Sequence, residues 1–342
     1  MSDEDLATIA RWVDEGVAEG TPRDDLALPA QPSLSAASAF RTPDFIPEIA
    51  GGPFAEFDEY RCFLIDPQLD SDKFITGYES LPGNAAIVHH ALVMHVDPDM
   101  VVGADGLTNL DVMQTLDDTS PDRDGWPCFG LAGEGVEPLG VPVTWAPGMG
   151  VVSYPAETGV YMPEDGLLVV QIHYNLAEEE LRGQSDVTTV KLCFADSVER
   201  VGLFQLSDLF LASGIDGEPD VLEPGRDSVS YTWEQSYDST LAELGLPYAD
   251  LYGVFPHMHG LGKKWRFEVI KAGSDAICGG NVERWYYAWE LFYFCQQPTR
   301  IEPGDSIRVT CEFDTRGLSE PVLPGWGTQN EMCLAGLYLV AP

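Results

Sequence analysis

The chain holds six histidines in 342 residues, and they are gathered rather than scattered. His89 and His90 are adjacent, His95 follows closely, and His173 sits in Gln171-Ile-His173-Tyr174. His257 and His259 share the stretch Phe255-Pro-His257-Met-His259-Gly-Leu-Gly-Lys263. Side chains two apart on a strand point to the same face, so a His-x-His pair offers a metal two nitrogens from one short segment. Met332, in Gln329-Asn-Glu-Met332-Cys333, can add a thioether. Imidazole with a soft thioether selects copper over zinc or magnesium. Adjacent residues on an ideal strand face opposite ways, so joint use of His89 and His90 demands a local twist or a reach around the backbone. His95 lies six residues beyond His89, roughly 20 Å along an extended strand, and is read as structural or surface.

Elements that could position these residues are short strands. Gly 34 and Pro 25 imply many turns, and the aromatic content suits β structure. Strands are expected at Tyr60–Ile65, Lys73–Tyr78, Ala85–Val96, Leu167–Tyr174 and Asp186–Phe194. A second series is expected at Arg200–Gln205, Ser228–Thr232, Ala249–Phe255, Trp265–Val269, Arg284–Phe294, Ser306–Phe313 and Met332–Val340. Short helices are expected near Asn109–Leu116 and Asp238–Leu246. Residues 3–18 read as an amphipathic helix with Ser2 as N-cap, and 19–50 as a linker. The fold class is all-β: two tandem antiparallel β-sandwich (jelly-roll-like) domains behind a short N-terminal helix and linker. The expected divisions are 1–50 for helix and linker, 51–197 for the first sandwich and 198–342 for the second.

The formal net charge of −38 excludes nucleic acid as a partner, because phosphate binding needs clustered Lys and Arg. It reads as a solvated acidic surface, as in a secreted or salt-adapted protein. No apolar run is long enough to span a membrane. Seven Cys point to an oxidising compartment, so a periplasmic or secreted protein is expected, its export signal removed from this chain.

Four segments in order carry a family resemblance: Val88-His89-His90-Ala-Leu, Gln171-Ile-His173-Tyr174, His257-Met-His259-Gly-Leu-Gly-Lys263 and Glu331-Met332-Cys333. Over roughly 45–342 the chain resembles the copper type II ascorbate-dependent monooxygenases. That resemblance implies two separate mononuclear coppers facing each other across a solvent cleft. His89, His90 and His173 would hold the electron-transfer copper; His257, His259 and Met332 would hold the oxygen-binding one. The implied reaction hydroxylates an unactivated C–H of a small organic substrate with O2, electrons coming from ascorbate or an alternative donor. Tyr60 and Gln171 resemble family residues near the electron-transfer site. The family's peptide-gripping positions fall here on Phe255, Leu334 and Gly336, so a less charged, more apolar substrate is expected.

The cysteines fit the same resemblance. Cys311–Cys333 matches a family disulfide, Cys278–Cys295 is expected as a pair within the second domain, and Cys62–Cys128 in the first. Cys193 is left over as a buried small apolar residue. The first helix resembles the last helix of a cytochrome c module, which would make a cytochrome c-type electron donor a partner. Two readings compete with the monooxygenase: a non-catalytic copper-binding or carrier protein on the same fold, and a zinc hydrolase, in which Met332 has no role.

Overall fold

The computed structural model describes residues 2–21, 33–34, 37–50, 56–129, 131–215, 220–273 and 275–342. It divides into two compact units, 1–32 and 33–342. In the first, α1 (Asp3–Asp14) begins in the expected capping box. The Ser2 hydroxyl accepts from the Asp5 N–H, and the Asp5 carboxylate accepts from the Ser2 N–H at 3.0 Å. The helix stops earlier than the periodicity predicts, where Gly16 takes the left-handed conformation at φ +92°.

The second unit is almost wholly strands. In chain order they are β1 (Ser38–Arg41), β2 (Asp58–Ile65), β3 (Lys73–Leu81), β4 (Val88–Val96), β5 (Val101–Val102) and β6 (Leu107–Thr108). After α2 (Asn109–Asp117) come β7 (Trp126–Pro127), β8 (Gly140–Trp145), β9 (Val152–Ser153), β10 (Thr158–Met162), β11 (Leu167–Asn175) and β12 (Thr189–Ala195). Then follow β13 (Arg200–Ser207), α3 (Leu209–Ile215), β14 (Val229–Ser236), α4 (Asp238–Glu243), β15 (Ala249–His257) and β16 (Gly262–Ile270). The chain ends with β17 (Ala276–Val282), β18 (Tyr293–Ile301), β19 (Ser306–Phe313) and β20 (Leu334–Val340).

The second unit is all-β. A five-stranded sheet runs β7-β2-β11-β4-β8, and a four-stranded sheet runs β14-β19-β16-β17. Between them a nine-stranded sheet runs β1-β12-β3-β10-β13-β20-β15-β18, with β9 added beside β3. The two halves therefore share a sheet. They join at β10 and β13, where Thr158, Gly159 and Val160 pair with Arg200, Val201 and Gly202 in parallel, an exception to the antiparallel pattern expected.

Strand β20 shows why the halves stay together. All its residues are buried, and it alternates between two cores. Leu334, Tyr338 and Val340 enter the core of the first half, while Ala335, Leu337 and Leu339 enter that of the second. A period of two puts neighbours on opposite faces, so one strand serves both cores.

Two expectations need correction. Strand β1 lies inside 19–50, the stretch read as linker, and pairs with β12, Phe40 opposite Val190. Phe45, also in that stretch, is buried against the Phe63 ring at 5.4 Å. Other parts of the stretch, 22–32 and 35–36, and the expected boundary at 51 lie outside the described residues. Arg284–Phe294 is not a strand: 284–292 is a loop and β18 begins only at Tyr293. Its aromatic residues carry strand propensity, but the backbone bonds outward instead. Trp285 N–H donates to Lys263 O at 2.9 Å, and Glu290 N–H donates to Pro147 O at 3.0 Å.

Candidate metal centre

Strands β2, β11 and β4 lie side by side and align three residues in a row: Tyr60 opposite His173, and His173 opposite His90. The register of β4 against β11 then shifts, with Tyr174 facing Val88, so His89 is the extra residue of a β-bulge. A bulge re-aims a side chain, and this is how the adjacent His89 and His90 serve one site. Ligand atoms of His89, His90 and His173 all lie within 4.8 Å of one another.

His173 is held from two sides. Its Nε2 meets the buried Asp58 carboxylate at 3.0 Å, leaving Nδ1 toward His90 Nε2, also at 3.0 Å. Asp58 is itself fixed by the Thr328 hydroxyl and N–H, at 2.6 and 3.1 Å. The Tyr60 ring stacks on His173 at 3.9 Å, and its hydroxyl donates to Trp326 O at 2.5 Å. Gln171, on the same face of β11 as His173, instead donates from its amide to Cys128 O and Leu131 O, which ties those two residues to the strand.

The second set forms where β15 ends. His257 is the last residue of β15, opposite Leu334 of β20, and His259 lies in the turn beyond. Their rings are 5.2 Å apart. His257 Nδ1 meets Glu290 Oε2 at 2.6 Å, and His259 Nδ1 donates to Asn330 O at 2.9 Å. With a proton on each Nδ1, both Nε2 lone pairs are left to a metal. The buried Glu331 carboxylate accepts from His259 N–H at 2.9 Å and Leu261 N–H at 2.6 Å, which shapes the turn. Met332 follows it and is buried, lining a cavity together with His90 and His257.

All five of these histidines are buried, and burial pulls their pKa values down. His257 is lowered to about 4 and His259 to about 3. They are neutral at pH 7, the state in which imidazole ligates a metal. Burial pushes the Glu290 carboxyl well above its ordinary value and raises Glu331 to about 8. His89 Nε2, His90 Nδ1 and His259 Nε2 are buried with no hydrogen-bond partner. A buried polar atom left unpaired is costly, and a metal would satisfy these atoms. This donor set fits copper.

The two sets lie close together, an arrangement the sequence leaves open. The His89 and His259 rings are 5.6 Å apart, and those of His90 and His257 5.7 Å. Loop 283–292 contributes to this closure. Tyr287 stacks on His89 at 5.9 Å, while Ala288 and Trp289 press so closely on Gly148 that a Cβ there would lie 2.8 Å from Ala288 O. Glu290 and Asp58 were missed by sequence reasoning, since a lone carboxylate far along the chain carries no spacing signal.

The cavity beside the histidines is walled by Leu92, Trp145, Phe255, Trp326 and Leu334, with no Asp, Glu, Lys or Arg in its lining. His95 stays apart from the centre, buried at the far end of β4 beside Leu168 of β11.

Cys62–Cys128 and Cys311–Cys333 are disulfides, the second adjoining Met332. Cys278 and Cys295 are free, as is Cys193, so the expected third bridge does not form. They sit on end strands of different sheets, β17 and β18. Cys193 is only partly buried.

This is a β-sandwich protein with a buried histidine and methionine centre suited to copper. Residues 218–340 match the family model "Copper type II ascorbate-dependent monooxygenase, C-terminal domain". Tyramine beta-hydroxylase of Caenorhabditis briggsae is 25% identical over 57% of this chain and 33% of its own length. Human dopamine beta-hydroxylase is 22% identical over 80% of this chain and 42% of its own length. Peptidyl-glycine alpha-amidating monooxygenase A of Xenopus laevis is 22% identical over 91% and 29%. The chain thus spans less than half the length of these relatives. By these matches the chain is similar to the copper type II ascorbate-dependent monooxygenases, over its C-terminal part in the family model.

Proposed function

We propose that the chain is a copper-dependent monooxygenase that hydroxylates an unactivated C–H of a small organic substrate with O2 and an external reductant. His89, His90 and His173 would hold one copper, and His257, His259 and Met332 a second. The observation that carries this reading is the division of labour at the imidazoles. Asp58, Glu290 and Asn330 O occupy one ring nitrogen of His173, His257 and His259, while unpartnered nitrogens of His89, His90 and His259 remain for metal. When bound, copper supplies the activation of O2, one atom entering the substrate and the other leaving as water with two electrons from the donor.

The protein's own part is to orient and to exclude. The carboxylates and the Asn330 carbonyl hold the rings in one tautomer. Tyr60 and Tyr287 clamp His173 and His89 by stacking. Buried apolar walls keep bulk water from the reacting bond. Phe255 and Leu334 stand where peptide-hydroxylating relatives grip a charged group, which supports a neutral, apolar substrate. Two disulfides support an exported protein, and among the described residues no helix is long and apolar enough to cross a membrane.

The test is copper content after loading, with X-ray absorption on the reduced protein and O2 uptake against ascorbate. Two coppers, a sulfur scatterer at one, and reductant-coupled O2 uptake are expected. Two coppers without any O2 uptake would favour a carrier; tightly held zinc would overturn the assignment.

A further inference from the structure

On the outer side of the His257-x-His259 turn lies an open bowl of about 660 Å³, within the range of small-molecule sites. Its charge runs against that of the chain. Lys263, Lys264, Arg284 and Arg316 line it, four of the 18 Lys and Arg in a protein of net charge −38. Three come already paired. Lys263 and Lys264 share Glu312 at 3.3 and 3.1 Å, and Arg316 pairs with Asp314. Arg284 is exposed and makes no ion pair among the described residues. Glu283, the other acidic side chain of the lining, accepts from the Asn281 amide at 2.8 Å.

We infer that this bowl is a binding site for a small organic anion, a carboxylate or enolate seated on the Arg284 guanidinium. That planar fork of donors matches two neighbouring oxygens, which a lysine ammonium cannot do. The distant acidic surface does not forbid it, since charges beyond a Debye length of about 8 Å are largely screened at physiological salt. Trp285 forms a wall and leads inward: its indole N–H donates to His259 O at 3.2 Å. Gly262 lets that ring lie against the backbone, for a Cβ there would sit 2.5 Å from the Trp285 ring. An anion in the bowl is thus one side chain away from a histidine of the metal centre. The reductant anion is one source of such a ligand, and a metabolite carboxylate is another.

The assignment is independent of the copper reading, because binding is measured on the chain stripped of metal and then dialysed free of chelator. Ascorbate, kept anaerobic, and gluconate are each titrated calorimetrically into the full chain and into Arg284→Glu. Saturable 1:1 binding is expected, at least tenfold weaker in Arg284→Glu and weaker at higher salt. Ascorbate bound with gluconate excluded would mark the reductant as occupant; mutual competition would mark a general organic-anion site. No saturable binding of either probe, or equal binding by Arg284→Glu, would overturn the inference. Arg284→Lys, which keeps the charge without the fork, is expected to bind at an intermediate level and guards against misfolding of the charge reversal.

Discussion

His90 and His257 come from opposite halves of the chain, yet their rings lie 5.7 Å apart and line one cavity. The two proposed ligand sets therefore share a wall while drawing their remaining residues from different strands. His257→Ala is expected to lower bound copper from two to one per chain and to abolish reductant-dependent O2 uptake. Loss of both coppers would refute the assignment of three ligands to each.

Glu290 reaches His257 from the loop 283–292 at 2.6 Å. Removing such an orienting partner costs about 10–100-fold in metal affinity. Glu290→Ala is expected to weaken one of two copper-binding steps by about that factor, and Glu290→Gln to recover part of it. A competition titration with a copper chelator reads both steps. Unchanged affinities would reduce Glu290 to a packing residue.

The bridge Cys311–Cys333 ties β19 to the residue following Met332. Its loss is expected to cost about 2–5 kcal/mol and to loosen Met332, lowering the sulfur signal in X-ray absorption of the reduced protein. Cys278→Ser and Cys295→Ser should leave the melting temperature nearly unchanged. Thiol titration of the denatured, unreduced chain should find three free thiols; one would mean that Cys278 and Cys295 are bridged after all.

His95 is buried at the far end of β4, and burial lowers it to about 4. Its Nδ1 is without a partner, and the carboxylate of Glu243 lines the same cavity. An unfolded histidine takes its proton near pH 6.5 and the folded one only near 4, so in this window the unfolded state binds more protons and stability falls as the pH falls. The contribution reaches at most about 3 kcal/mol at pH 4. In His95→Gln, denaturant unfolding between pH 6.5 and 4 should show a shallower acid loss. An unchanged slope would mean that His95 is protonated in the fold.

Much of the metal centre was legible in the chain because its chemistry is local and rare. Six histidines in an acidic protein, two of them spaced for one strand face, need no tertiary information to suggest a metal. The strands carrying His90 and His173 were also legible, since β-branched and aromatic residues between turn signals mark them, whereas the strand expected to end at Phe255 runs on to His257 and leaves His259 in the turn beyond. What the sequence left open was everything depending on contacts between distant segments. The pairing of His89 with His90 required the bulge against Tyr174. Asp58 and Glu290 act only because folding brings them to His173 and His257. The aromatic run from Trp285 to Trp289 looked like a strand and became a loop over the histidines, because its backbone bonds to the neighbouring segments outweigh propensity. The sequence by itself determined the all-β class and which residues could offer donor atoms, because residue type and periodicity are properties of short segments. The tertiary structure alone decided that the two sets close on each other, because that distance is set by β20 and the shared sheet, which no local pattern encodes.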